Sequence, residues 1–231
     1  MDKFEIFQYI LRIPIVLFSL TVHEVAHGYA AYKLGDPTAK NLGRLSLNPL
    51  KHLDPIGAVC MLLFRFGWAK PVPINTRYFK KPRVGMAISA LAGPVSNLLM
   101  AFISYVISLY VYYFSSNAEH FFLTSFLGTP IILSSAGNVL YVLYLFFANF
   151  FLLNVSLAVF NFLPIPPLDG SRILFVLLPD KLYFGVMKYE RIITLVLFGA
   201  LWLGLLDGAL DFVFGLFISA FNFIVQFFPF L

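Results

Sequence analysis

The sequence predicts an all-α polytopic membrane protein of five to six transmembrane helices. A re-entrant or interfacial segment and short extended strands are expected between the first two long spans. Three observations carry this. Hydrophobic residues make up 60% of the chain and charged ones 12%, with a mean hydropathy of +0.87, whereas soluble domains carry about 25% charged residues. Apolar stretches long enough to cross a hydrocarbon core of about 30 Å recur along the chain. The net charge of +5 gathers in loops, as membrane topology requires, so a lipid bilayer and not nucleic acid is the expected surrounding. Cys60 is the sole cysteine, which excludes an intrachain disulfide and a cysteine-based metal site.

Phe4 to Leu34 reads as one helix, roughly 45 Å long at 1.5 Å per residue and more than enough to span. Its first apolar run leads straight into the polar residues described below. It resembles no basic signal peptide, and it is expected to be retained. Gly35-Asp36-Pro37 supplies the stop. Residues 38–83 then carry Lys40, Arg44, Lys51, Lys70, Arg77, Lys80, Lys81 and Arg83. Inside that stretch Pro55 to Phe66 is apolar but about twelve residues long, too short to span, hence re-entrant or interfacial. Ala69 to Asn75 is expected to be extended, because its prolines remove donors and bias their neighbours; such a segment could offer an edge for strand addition.

Val84 to Phe114 is the second span. It opens with small residues, and Ser89, Gly93 and Asn97 lie four apart on one face, a pattern that lets membrane helices approach closely. The expected partner is the first helix. A third span runs from about Asn138 to Phe162 and is broken by Pro164, Pro166 and Pro167. Ile192 to Leu206 and Phe212 to Phe228 are expected to form a hairpin around Asp207-Gly208. The positive-inside rule places loops 35–83 and 163–191 in the cytoplasm, and the N-terminus and loop 115–137 outside.

Within the apolar first helix stands His23-Glu24-Val25-Ala26-His27. Ionisable groups at bilayer depth are costly and point to function. H-E-x-x-H on a helix puts two imidazoles one turn apart to hold zinc, with the glutamate as general base. Chance produces this motif in a chain of this length at the order of one per cent or less. A third ligand must come from elsewhere. Cys60 lies in the short apolar segment, His52 in the basic loop, and His120, Asp207 and Asp211 at the opposite face. Asp169 fits best: it follows the proline break at the inner end of the third span, where irregular backbone lines a cavity or is buried. His27 lies six residues before Lys33, roughly 9 Å from the inner helix end, and Asp169 three residues before Arg172, so both sit at similar depth.

His23-Glu24-x-x-His27, followed by Asn161-x-x-Pro164-x-Pro166-x-Leu168-Asp169-Gly170, resembles the site-2 proteases, zinc intramembrane metalloproteases of regulated intramembrane proteolysis. Arg44-Leu-Ser-Leu-Asn48-Pro49, His52-Leu-Asp54-Pro55-Ile-Gly57, Gly67-Trp68-Ala-Lys70-Pro71-Val-Pro73 and Leu91-Ala-Gly93-Pro94-x-x-Asn97 resemble the short bacterial and archaeal branch, without a PDZ domain or CBS pair. The resemblance implies one zinc ion per chain held by His23, His27 and Asp169, with Glu24 as catalytic base and Asn161 holding substrate or the oxyanion. It implies cleavage in or near the transmembrane segment of a partner protein, in a prokaryotic inner membrane, at a site facing the cytoplasm. A single transmembrane domain over residues 1–231 is expected, with its catalytic core at about 4–180 and a helical hairpin at about 190–229. The rival readings are an intramembrane metal-ion transporter and an inactive metal-binding adaptor. A transporter has no need of Glu24 beside a ligating histidine and shows an inverted repeat that is not visible here; the intact glutamate argues against the adaptor.

Overall fold

The computed structural model describes residues 3–55, 57, 69–116 and 137–227. Helix α1 (Lys3–Lys33) ends as its sequence demands. Gly35 takes φ 108°, which a glycine tolerates without strain. The Gly35 N–H then donates to Tyr32 O and that of Asp36 to Ala31 O, capping carbonyls that the helix leaves unpaired. A short α2 (Thr38–Asn41) and two 3₁₀ turns (Pro49–Lys51, Thr76–Tyr78) follow. Then come α3 (Pro82–Ser116), α4 (Gly137–Phe162) and a short α5 (Asp169–Leu174) that runs into a 3₁₀ turn (Phe175–Leu177). The chain closes with α6 (Asp180–Lys188), α7 (Glu190–Trp202) and α8 (Asp207–Val225).

Four helical stretches among the described residues are long and apolar enough to cross a bilayer: Ile6–Lys33, Pro82–Tyr113, Val139–Phe162 and Asp207–Val225. The protein is an integral membrane protein, all-α as expected, with two differences. The span expected at Ile192 to Leu206 is the 13-residue α7, roughly 20 Å long and short of the hydrocarbon thickness. It stops early because Gly204 adopts φ 70° and caps it, with Leu205 N–H donating to Ala200 O. The hairpin therefore turns at Gly204, and Asp207-Gly208 opens α8 instead. Between the first two spans the described residues hold no strand, only an isolated antiparallel bridge between Leu53 and Ala69, since prolines interrupt the donors on either side. Nearly all of the Pro55 to Phe66 segment, and most of loop 115–137, lie outside the described residues.

Helix α3 is the hub. It packs most extensively on α4, then on α1, and also holds α5. Ala101, Phe151, Val155, Val159 and Phe221 form a buried core where α3, α4 and α8 meet. Lipid is as apolar as leucine, so this contact gains from close packing and little from hydrophobic transfer. Helix α5 is tied outward by Arg172, which forms an ion pair with Glu190 at 3.2 Å.

Candidate metal centre

His23 and His27 point from one face of α1 into the seam with α3 and are 6% and 7% exposed. Their Nε2 atoms lie 2.9 Å apart. Asp169 Oδ2 is 3.2 Å from His23 Nε2 and 3.3 Å from His27 Nε2. Small residues make this convergence feasible. A Cβ at Gly93 would overlap both imidazoles, and a Cβ at Gly170 would overlap the carbonyls of Phe162 and Leu163. The small face of α3 thus receives α1 as expected, and Gly170 lets the first turn of α5 fold back on the end of α4 and deliver Asp169.

The donor set fits zinc. Four ligands at about 2.0–2.1 Å in a tetrahedron stand roughly 3.3–3.4 Å from one another, and the three separations here are 2.9, 3.2 and 3.3 Å. His27 Nδ1 donates to the carbonyl of Ser89 at 2.7 Å, which leaves the Nε2 lone pair free. His23 Nδ1 faces Asn97 Oδ1 at 2.5 Å. Asp169 Oδ2 is buried and has no hydrogen-bond donor. Three electron-rich atoms facing one another in a buried space call for a cation. His23, His27 and Asp169 are the group with metal-ligand geometry among the described residues.

Glu24 projects about 100° away from His23 around the helix and is not a member of the ligand group. Its Oε2 accepts the Val72 N–H at 2.8 Å. Val72 belongs to the extended stretch 69–75, which lies across α1 because Gly28 has no side chain: a Cβ there would come within 2.8 Å of Val72 and Leu45. Further bonds fasten the stretch. Lys70 N–H donates to His52 O, Arg44 Nη2 donates to Lys70 O at 2.8 Å, and Asn75 N–H donates to the buried Asp36 carboxylate at 2.6 Å. The donors at 70, 72 and 75 are used within the protein, and Pro71 and Pro73 have none. These bonds make the segment a strap across α1.

Asn161 is not joined to the ligand group. It is half-buried in the last turn of α4, and its Nδ2 donates to Leu157 O of the same helix at 3.0 Å. His52 is buried, its Nε2 bonded to Ser46 O at 2.8 Å, so it braces the loop. Asp207 and Asp211 lie on α8, outside the group, and Cys60 and His120 fall outside the described residues. Sequence reasoning missed Val72, whose contribution is a backbone N–H, and also Ser19 and Asn154, which are joined to His23 by hydrogen bonds through Asn97. The last two carried a readable signal: both are polar residues inside apolar spans.

Comparison with known proteins agrees with this geometry. A model of Peptidase family M50 matches residues 12–204. YwhC of Bacillus subtilis is 42% identical over 186 residues, covering 79% of this chain and 77% of its own. Rip2 of Mycolicibacterium smegmatis is 29% identical over 168 residues, 70% of this chain and 55% of its own. Both carry zinc metalloprotease in their names, as does MJ0392 of Methanocaldococcus jannaschii, 27% identical over 179 residues, 77% of this chain and 37% of its own. The chain thus spans about three quarters of the first relative's length, about half of the second's and about a third of the third's. No solved structure matches.

Proposed function

This chain belongs to Peptidase family M50, and from that premise we propose that it is a zinc-dependent intramembrane endopeptidase. It hydrolyses a peptide bond in or near the transmembrane segment of a membrane-protein substrate, at a site facing the cytoplasm of a prokaryotic cell membrane. The carrying observation is the convergence of His23 Nε2, His27 Nε2 and Asp169 Oδ2 within 4.8 Å of one another, with Glu24 on the same helix. In this reading those three residues hold zinc, which supplies a Lewis acid for the scissile carbonyl and makes water a nucleophile at neutral pH. Glu24 Oε2 is held by Val72 N–H. Its second oxygen takes the proton of the attacking water and passes it to the leaving amine. Asn161 keeps its place in this reading as a donor to the developing oxyanion, a role that requires its amide to leave Leu157 O. The basic residues of the 35–83 loop support the cytoplasmic placement.

Wild type and Glu24→Gln, purified in detergent, test this reading. Both are expected to hold zinc equally, and the variant is expected to lose cleavage of a transmembrane substrate by about 10²-fold or more. Unchanged cleavage by the variant would remove Glu24 from the mechanism. Zinc flux into proteoliposomes without cleavage would replace the peptidase reading with a transporter.

A further inference from the structure

We infer that Asn97 and Asn154, anchored by Ser19 and the Phe150 carbonyl, are positioning residues that hold His23 with Nδ1 protonated and Nε2 free to ligate. The inference rests on the zinc-site reading above.

The two ends of an amide side chain are told apart by their partners, and here one partner is unambiguous. The atom of Asn154 that lies 2.8 Å from Phe150 O faces a carbonyl, which only accepts, so it is Nδ2. That turns Oδ1 of Asn154 towards Asn97, whose facing atom must donate: Nδ2, at 2.8 Å. Oδ1 of Asn97 is then left facing His23 Nδ1 at 2.5 Å. An oxygen cannot donate, so the proton sits on Nδ1. The remaining Asn154 Nδ2 proton goes to Ser19 Oγ at 2.9 Å, one turn before His23 on α1. The relay leaves α1 at Ser19, crosses α4 and α3, and returns to α1 at His23. Ser19, Asn97 and Asn154 are each 0% exposed, so a flipped amide would set like atoms against each other in the interior, where unpaired polar groups are costly. A flipped Asn97 would present a donor to Nδ1 and move the imidazole proton to Nε2, where it blocks ligation. His27 needs no such relay, because its Nδ1 partner is the backbone carbonyl of Ser89.

Zinc affinity by chelator competition in detergent, together with the melting temperature of each metal-free protein, tests this. Asn97→Leu keeps the volume but removes the acceptor, and is expected to weaken zinc binding about 10- to 100-fold. Asn97→Asp keeps an acceptor for His23 Nδ1 but loses the donor to Asn154 Oδ1, so it is expected to bind zinc more tightly than Asn97→Leu and less tightly than wild type. Asn154→Leu touches neither the histidine nor the metal, yet frees the Asn97 amide and is expected to weaken binding several-fold. A packing role predicts the reverse order, with leucine tolerated and a buried carboxylate harmful. Should Asn97→Leu fail to melt cooperatively, the contrast of Asn97→Asp with Asn154→Leu decides alone. Equal affinity of the leucine variants and wild type, or Asn97→Asp no tighter than Asn97→Leu, would overturn the relay. Wild-type protein without zinc affinity would instead overturn the metal-site reading itself.

Discussion

At Gly93 the backbone of α3 comes so close to both imidazoles that a methyl group there would overlap them. Deep in a packed interior such an overlap is relieved only by moving the rings or parting the helices. Gly93→Ala is therefore expected to lower zinc affinity at least about tenfold, since outer contacts that aim a ligand already carry this much. Zinc titration of the purified variant checks it, and wild-type affinity would mean that the seam is looser than described. Asp169→Ala is expected to reduce zinc content at equal protein recovery, measured by metal analysis, and full occupancy would point to another third ligand. At this scale the sequence was informative where chemistry is rare. Histidines in an apolar helix, and an aspartate behind a proline break, stand out against their surroundings. Val72 did not, and Ser89 was legible only as a small residue on the α3 face, because each acts through its backbone, which every residue type shares.

The strap at residues 69–75 was foreseen as extended but not as fastened to Glu24. Proline content announces extended geometry, whereas the partners of an N–H depend on what the fold places opposite. Orientation of the proposed base, Glu24, by this element can be tested without touching Glu24 itself. Val72→Pro removes the Val72 N–H that donates to Glu24 and suits the extended backbone between Pro71 and Pro73, while Val72→Ala keeps that donor. Val72→Pro is expected to lower kcat about tenfold or more with zinc content unchanged, and Val72→Ala to retain most activity. Equal loss in both variants would show that side-chain packing against Gly28, not the N–H, is what matters. The helices themselves were legible to within two or three residues for α1, α3 and α4, because long apolar runs bounded by Gly, Pro and charge leave little choice. Helix α7 was not, since its end depends on Gly204 taking a left-handed conformation, and glycine in an apolar run does not declare that.

For the molecule as a whole, the testable property is its orientation in the membrane. On a Cys60→Ala background, Lys40→Cys and Lys181→Cys are expected to react with a membrane-impermeant maleimide only after the cells are opened. Gly208→Cys, where the added atom meets open space, is expected to react in intact cells; the inverse pattern would turn the protein over. Membrane class and the pairing of the first and third spans through one site followed from composition and motif spacing. The tilt and depth of α8 against α3 and α4 did not, because ring-to-ring packing among many phenylalanines has too many near-equivalent solutions to read from order alone. The division of the ligands along the chain has a further result. The two histidines proposed to hold zinc sit on a single turn of α1, and the proposed aspartate ligand emerges only after two more membrane helices, α3 and α4, have been made. On the proposed reading of the site, a ribosome-bound intermediate that has inserted α1 carries the histidines without their acidic partner, and is expected to be inactive until residue 169 has left the exit tunnel and docked.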